Sequence, residues 1–114
     1  MKLLFLVDYE AHKEEGEPLT GLKWMLWLFG PFSVDVLDTL DELEERGELT
    51  AEHVAGVGHF YTCRSEPRIS TDIRKIVDKV LEEYMNKPLP DILNHVYSLD
   101  IVKNAELGEE LKWQ

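Results

Sequence analysis

The chain has 114 residues, with 23 acidic and 12 basic side chains and a formal net charge of −11 at pH 7. This length fits one domain that buries a core without disulfides or a metal, so we expect a single domain over residues 1–114. One cysteine excludes an internal disulfide, and an N-terminal apolar run of five residues is too short for a secretory signal or a membrane span. We therefore expect a cytoplasmic protein with no membrane role.

The N-terminal part of the chain contains a helical pattern and an aromatic run. Residues 2–15 place apolar side chains on one helical face, and Gly16 suits the C′ position, so we expect a helix there. The run Leu3-Leu4-Phe5-Leu6-Val7 is also short enough for a buried strand. Apolar residues are then nearly continuous from Leu22 to Phe29, and this run is too short for periodicity to separate a strand from a helix. Its aromatic content favours a strand. Gly30-Pro31 is expected to end the run, because proline removes a backbone donor.

Two tryptophans in this run, Trp24 and Trp27, are three residues apart. They share one face if the run is a helix, and they lie on opposite faces if it is a strand. We expect the run to pack in the core, with one tryptophan ring left for a partner surface.

The clearest helical pattern runs from Ser33 to Arg46. Ser33 suits an N-cap, and Gly47 suits a C′ residue directly after Arg46. The helix has six carboxylates, and it also has an apolar face formed by Val36, Leu37, Leu40 and Leu43. We expect the apolar face to pack in the core and the carboxylates to lie on the solvated side.

The middle of the chain has the propensities of a β-hairpin. Residues 48–62 fit two strands with a turn near Gly56-Val57-Gly58, and Thr50-Ala51-Glu52 also fits the start of a short helix. The segment from Cys63 to Arg68 has the composition of a loop.

The C-terminal part predicts two helices and a tail. Ser70 suits the N-cap of a helix that ends near Asn86, and Pro90 suits the first turn of the next helix. Residues 98–114 are expected to form an irregular or partly helical tail that folds back on the domain. The predicted fold class is α+β, a mostly helical small domain with a short sheet or hairpin and a winged-helix-like pattern.

No residue pattern predicts catalysis, a cofactor or a metal. His53, His59 and Cys63 are spaced unlike a standard zinc site. Gly56-Val57-Gly58 lacks the third glycine of a dinucleotide-binding loop, and the chain has no Gly-x-Ser-x-Gly nucleophile turn. We therefore predict a non-enzymatic protein without catalytic, cofactor-binding or metal-binding residues.

Residues 30–49 resemble the second half of a winged helix-turn-helix domain. In that resemblance the helix from Ser33 to Arg46 is the recognition helix, Leu49 begins the first wing strand and residues 53–62 supply the wing. The resemblance implies DNA binding, but six carboxylates against one arginine would meet the phosphate backbone unfavourably. This helix is therefore expected to contact protein.

A second resemblance covers more of the chain. An N-terminal apolar helix, an aromatic-Gly-Pro turn and a C-terminal segment are together similar to the SocA-like Panacea antitoxin domain. The residues that carry it are Leu3, Leu4, Phe5, Tyr9 and His12, then Phe29-Gly30-Pro31-Phe32-Ser33, then Asn94-His95-Val96-Tyr97-Ser98, Val102-Lys103-Asn104-Ala105 and Gly108-Glu109. The resemblance implies a small, mostly helical cytoplasmic module that neutralises or delivers a partner protein, often a toxin.

Two sets of charged residues are candidates for binding. The predicted protein-partner face, which would suit a basic protein, consists of Asp35, Asp38, Asp41, Glu42 and Glu45. The candidate contacts to an anion or nucleic acid are Arg64, Arg68, Arg74, Lys75 and Lys79. We predict an antitoxin-like or adaptor protein that binds a partner protein. The alternative is a winged-helix transcription regulator that contacts DNA through residues 64–79, and a homodimer is left open.

Overall fold

The computed structural model describes residues 1–56, 58–64 and 68–113, with His59 described by its backbone alone. The predicted turn at Gly56-Val57-Gly58 and the predicted loop from Cys63 to Arg68 therefore lie partly outside the described residues. In chain order the elements are α1 (Lys2–Glu15), β1 (Met25–Trp27), β2 (Gly30–Phe32), α2 (Val34–Glu45), β3 (Leu49–Val54), β4 (Gly58–Cys63), α3 (Thr71–Tyr84), α4 (Leu89–Ser98) and α5 (Asp100–Lys103).

The strands form two separate antiparallel hairpins, β1 with β2 and β3 with β4. About half of the chain is helical. The predicted α+β class, mostly helical with a short hairpin, is confirmed. The helix α2 followed by a hairpin that starts at Leu49 has the order expected of a winged helix, but this order alone does not identify one, and the winged-helix pattern stays a prediction.

The chain divides into two compact units. The first unit consists of Met1–Ser33 and Ile69–Gln114, and the second unit is Val34–Arg68. Each unit has its own hydrogen-bonded hairpin.

The core of the first unit is formed mainly by α1, α3 and α4. Phe5 is fully buried in α1 and meets the ring of Trp24 edge-on, with ring centroids 5.4 Å apart. The helical pattern predicted for α3 is confirmed, since Ile76, Val80 and Tyr84 are buried at its spacing. Its cap is confirmed as well, because the hydroxyl of Ser70 accepts a hydrogen bond from the backbone N–H of Ile73 at 3.3 Å.

A buried carboxylate joins α1 to the segment that leads into β1. Asp8 is fully buried, and its Oδ1 accepts hydrogen bonds from the backbone N–H groups of Leu19 and Thr20 at 3.0 and 2.8 Å. Its Oδ2 accepts from the Thr20 hydroxyl at 2.5 Å and from the Trp24 indole N–H at 2.9 Å. Because a buried charge is tolerated only when its lone pairs are satisfied, these four bonds fix the approach of β1 to α1.

The hairpin β1–β2 corrects the prediction that Gly30-Pro31 ends the apolar run. Both residues belong to β2, where Gly30 pairs with Trp27 and Pro31 pairs with Leu26. The reversal occurs one step earlier, at Leu28 and Phe29. Gly30 has a φ of 100°, which residues with a Cβ rarely adopt, and it thereby returns the chain into the strand. The missing N–H of Pro31 is tolerated in a short edge strand.

The C-terminal segment pairs with the other edge of β1. The N–H of Leu26 donates to the carbonyl of Glu109 at 2.9 Å, and the N–H of Gly108 donates to the carbonyl of Leu26 at 2.7 Å. The N–H of Leu111 donates to the carbonyl of Trp24 at 2.7 Å. The prediction of a partly helical tail that folds back on the domain is confirmed.

In the second unit, α2 ends as its sequence predicts. Gly47 has a φ of 74°, and its N–H donates to the carbonyl of Glu44, while the N–H of Glu48 donates to the carbonyl of Leu43. This pair of bonds is a Schellman motif. The N-terminus differs from the prediction, because the hydroxyl of Ser33 is buried and makes no hydrogen bond among the described residues.

The expectation that the apolar face of α2 packs in the core is wrong. No residue of α2 is buried, and Val36, Leu40 and Leu43 are only half-buried. The helix contacts β3, and β3 contributes Leu49, the single buried residue among those described in the second unit. A helix lying on a two-stranded hairpin has too little apolar surface opposite it to cover its whole face.

Candidate protein-interaction surfaces

The predicted protein-partner face is a single side of α2. At about 100° per residue, its five carboxylates fall within an arc of about 120° around the helix; they are Asp35, Asp38, Asp41, Glu42 and Glu45, all exposed. We call these five residues the acidic face. The sixth carboxylate, Glu44, lies on the other side of the apolar residue Leu37.

The acidic face is only weakly neutralised. Glu42 forms an ion pair with Arg46, which also approaches Glu48 at 3.8 Å. Across residues 1–56, 58–64 and 68–113, the other four members of the face have no ion pair. Close carboxylates on one side of a helix repel one another, so an oppositely charged surface brought against them would relieve that repulsion.

Two aliphatic side chains are exposed within or beside the acidic face. Val34 is 53% exposed and Leu37 is 42% exposed. On the helical wheel, Val34 falls inside the carboxylate arc and Leu37 falls at its edge. A face that only keeps a helix in solution needs no exposed aliphatic groups, whereas the centre of a protein interface contains them.

The candidate anion contacts are divided between the two units. Arg64 and Arg68 belong to the second unit, and the other three, Arg74, Lys75 and Lys79, lie on α3 in the first unit. Arg64, which follows β4, and Arg68 are both exposed. The five candidate residues therefore do not belong to one structural unit.

Lys79 is held by two carboxylates of α1. Its Nζ lies 2.6 Å from Oε1 of Glu10 and 2.5 Å from Oε1 of Glu14. The hydrogen bond donated by Lys79 lowers the pKa of Glu14, and the hydrogen bonds that Lys79 donates to Glu10 and Glu14 raise the pKa of Lys79. This cation therefore stabilises the contact between α1 and α3, and it is less available to an anionic ligand.

The turn of β1–β2 exposes three consecutive large apolar residues that the charge pattern does not reveal. Trp27, Leu28 and Phe29 are 47%, 61% and 74% exposed, while Trp24 is 1% exposed. We call Trp27, Leu28 and Phe29 the aromatic tip. Trp24 lies one residue before β1 and is buried, whereas Trp27 at the end of β1 is exposed. The expectation that the whole run packs in the core is therefore wrong for its last three residues.

A cleft of about 530 Å³ lies in the first unit between α1, α5 and the C-terminal segment. Its aromatic wall contains Tyr9, His12 and Trp113, and the Trp113 ring stacks on Phe5 with a centroid separation of 5.6 Å. The rest of its lining contains both cations and carboxylates, namely Lys13, Lys112, Asp100, Glu109 and Glu110. The cleft therefore has no dominant sign of charge.

Tyr84, which is buried, and His95, which is half-buried, form a polar pair on α3 and α4. The Tyr84 hydroxyl lies 2.8 Å from Nε2 of His95. Burial raises the pKa of Tyr84 to about 12, with a further contribution from the carboxylate of Glu83. The phenol is therefore neutral at physiological pH and serves as a hydrogen-bonding link between the two helices.

Within the described part of the chain, no group of three or more His, Cys, Asp or Glu residues is arranged to hold a metal ion. No helix there is long and apolar enough to span a membrane. The surfaces that stand out are an acidic helix face and an exposed apolar turn, and exposed apolar patches are common at interaction sites.

The fold is that of a small α+β module, and a comparison with protein families gives its class. The family described as "Antitoxin SocA-like, Panacea domain" matches residues 1–100, and the chain belongs to this family. No match was found among curated proteins or among solved structures. The resemblance stated from the sequence is confirmed. The protein is an antitoxin-like module, and membership in an antitoxin family points to a protein partner such as a toxin and to a binding role.

Proposed function

We propose that this chain is a non-enzymatic antitoxin-like module of the cytoplasm, one domain in function, that binds a basic protein partner through the acidic face of α2. One observation carries the proposal: α2 has six carboxylates and no cation, and it buries none of its side chains. A helix with this composition gains little from the fold to which it belongs.

The second unit is small for a domain that is stable by itself. It spans 35 residues, and domains below about 40 residues usually depend on disulfides, metals or association for stability. An isolated helix of about 12 residues is marginal in water. A partner that covers the half-buried apolar side of α2 and neutralises its carboxylates would supply the missing burial.

Charge defines the chemistry of the partner. A net charge of −11 attracts a basic protein over a distance set by the ionic strength and raises the rate of encounter. Several carboxylates on one helix side would then meet Lys and Arg on the partner at short range. We therefore expect binding that weakens as salt rises.

The competing hypothesis is a winged-helix regulator that contacts DNA through Arg64, Arg68, Arg74, Lys75 and Lys79. Bringing α2 beside phosphates would cost electrostatic free energy, and Lys79 already pairs with Glu10 and Glu14. No observation specifically favours DNA binding. The test below nevertheless includes a result that would establish it.

As the probe we choose the product of the reading frame next to the gene for this chain, which we call the adjacent-frame protein. It is titrated against the wild type and two charge-reversal variants. Asp38→Lys/Asp41→Lys changes the acidic face, and Asp78→Lys/Glu82→Lys makes the same change in net charge on exposed positions of α3. We expect the α2 variant to weaken binding at least about tenfold, because two desolvated charge pairs become repulsive. The α3 control should weaken it less than about threefold, since it alters only the long-range field.

Equal losses in the two variants would show that net charge alone drives association, and would contradict a specific role for α2. The absence of any complex with the wild type would overturn the proposed function. Tight, salt-sensitive binding of a DNA duplex that falls on Arg68→Ala or Arg74→Ala would establish the competing hypothesis instead.

A further inference from the structure

The aromatic tip is a run of three consecutive exposed apolar residues in a unit that has a well-buried core. It belongs to the same short segment as Trp24 and Leu26, which are 1% and 7% exposed. Fully covered aromatic side chains bury about 150–250 Å² each, so leaving Trp27 and Phe29 in water forgoes a large part of that stabilisation. Such an exposed cluster is typical of a surface that is covered in a complex.

A stripe of α4 extends this apolar surface. Leu89, Leu93 and Tyr97 are spaced four residues apart and so lie on one side of α4. Leu93 lies against Gly30, since its Cδ1 would be 3.4 Å from a Cβ added there. The Tyr97 hydroxyl donates to the carbonyl of Leu28 at 3.4 Å. Leu89 is 60% exposed, so the apolar surface continues from the tip onto the first turn of α4.

The tip is held in place before any partner arrives. β1 is hydrogen-bonded on one edge to β2 and on the other to the segment around Glu109. Asp8 fixes the chain just upstream through Thr20 and Trp24. An anchor that is already ordered loses little conformational entropy on binding, which suits it to be an energetic hot spot.

We propose that the aromatic tip is the apolar anchor for the same basic protein partner and seats in an apolar recess on it. This inference rests on the proposed function. Net charge indicates which protein covers the aromatic tip. Two copies of this chain, each with a net charge of −11, repel each other, whereas a basic protein is attracted. The tip also offers only a few hundred Å², below the roughly 800 Å² per partner of a standard interface, so it is an anchor within a larger contact and not a dimer interface.

The test compares three proteins in titrations with the adjacent-frame protein at low and moderate salt. Trp27→Ser/Phe29→Ser removes the tip, and Ile69→Ser/Met85→Ser is a matched control at exposed apolar positions of the same unit. We expect the tip variant to bind about 30-fold or more weakly, mainly through faster dissociation, with an unchanged salt dependence. The control should bind within about threefold of wild type.

The α2 variant Asp38→Lys/Asp41→Lys separates the two proposals, because it should reduce the salt dependence that the tip variant preserves. A complex that responds to the α2 variant but not to the tip variant overturns this inference and leaves the proposed function standing. No complex with the wild type overturns both. Light scattering that finds a wild-type dimer and a monomeric tip variant would identify a second copy as the occupant and would also overturn the inference.

A spectroscopic measurement on the wild-type chain tests the same inference without any variant that could misfold. Trp27 is the most exposed of the three tryptophans, since Trp24 is buried and Trp113 is half-buried. Acrylamide quenching of tryptophan fluorescence should therefore fall when the adjacent-frame protein saturates the chain. Unchanged quenching in a saturated complex of wild-type protein would contradict the anchor.

Discussion

The two units of the chain differ in what holds them together. The first unit has a core of buried apolar side chains and a buried carboxylate with four hydrogen bonds. The second unit has nine acidic and three basic residues, a net charge of −6, and buries only Leu49 among its described residues. The difference indicates that the first unit supplies most of the stability. The second unit is acidic and weakly packed, and our proposed function assigns its charge to contact with a partner.

The sharpest test of this difference replaces one aspartate in each unit. Asp8→Ala should cost on the order of 4 kcal/mol, because it removes the acceptor of four buried or partly buried donors and opens a cavity. Asp38→Ala should be neutral within about 0.5 kcal/mol or slightly stabilising, since alanine favours a helix and a repulsive charge is lost. Urea unfolding measures both free energies. A comparable loss in the two variants would contradict the assignment of roles.

A pair of leucine truncations tests the same contrast through packing. Leu6→Ala removes a side chain that is 2% exposed in α1 and should cost about 3 kcal/mol. Leu40→Ala removes a half-buried side chain of α2 and should cost about 1 kcal/mol or less, because little contact is lost. Thermal or urea unfolding provides the comparison. Equal costs would mean that α2 is packed as firmly as α1.

The smallest effect concerns the ion pairs of Lys79 in the first unit. The lowered pKa of Glu14 means that its stabilisation is present above about pH 4.5 and is lost as the pH falls through its folded-state pKa. The raised pKa of Lys79 means that its stabilisation is present below about pH 10.5 and is lost at more alkaline pH. Lys79→Gln should therefore lower the Tm by a few degrees or less near pH 7, and not at pH 2. A pH-independent difference would assign the effect to packing and not to charge.

Local rules predicted most elements of the fold. The caps at Ser70 and Gly47 and the apolar spacing of α3 depend on short-range geometry, and the structure confirms them. The hairpin β1–β2 was harder to predict from the sequence, because glycine and proline usually interrupt strands. Here Gly30 completes a tight reversal, and Pro31 sits in an edge strand that requires no donor.

Burial was less predictable than secondary structure. The pattern of α2 correctly indicates an amphipathic helix, yet whether its apolar side is covered depends on the area of the element opposite, which the sequence does not state. The buried position of Asp8 is signalled only by its place on the apolar side of α1. Its four partners come from residues 19–24, which the sequence leaves as an undefined connector.

The candidate surfaces were predictable in part. The acidic face follows from charge and helical spacing alone, and its role in binding remains a proposal. The exposure of the aromatic tip could be predicted only if Leu28 and Phe29 were known to form the reversal, since the same residues would be buried in a longer strand. The spacing of Trp24 and Trp27 contained the signal, once the run was known to be a strand.

The most direct measurement is hydrogen exchange of the wild-type chain, free and saturated with the adjacent-frame protein. We expect amides of α2 and of the β1–β2 hairpin to gain protection in the complex, while amides of α3 stay unchanged. Protection that appears on α3 around Arg74 and Lys79 and leaves α2 unchanged would contradict the claim that the acidic face of α2 receives the partner.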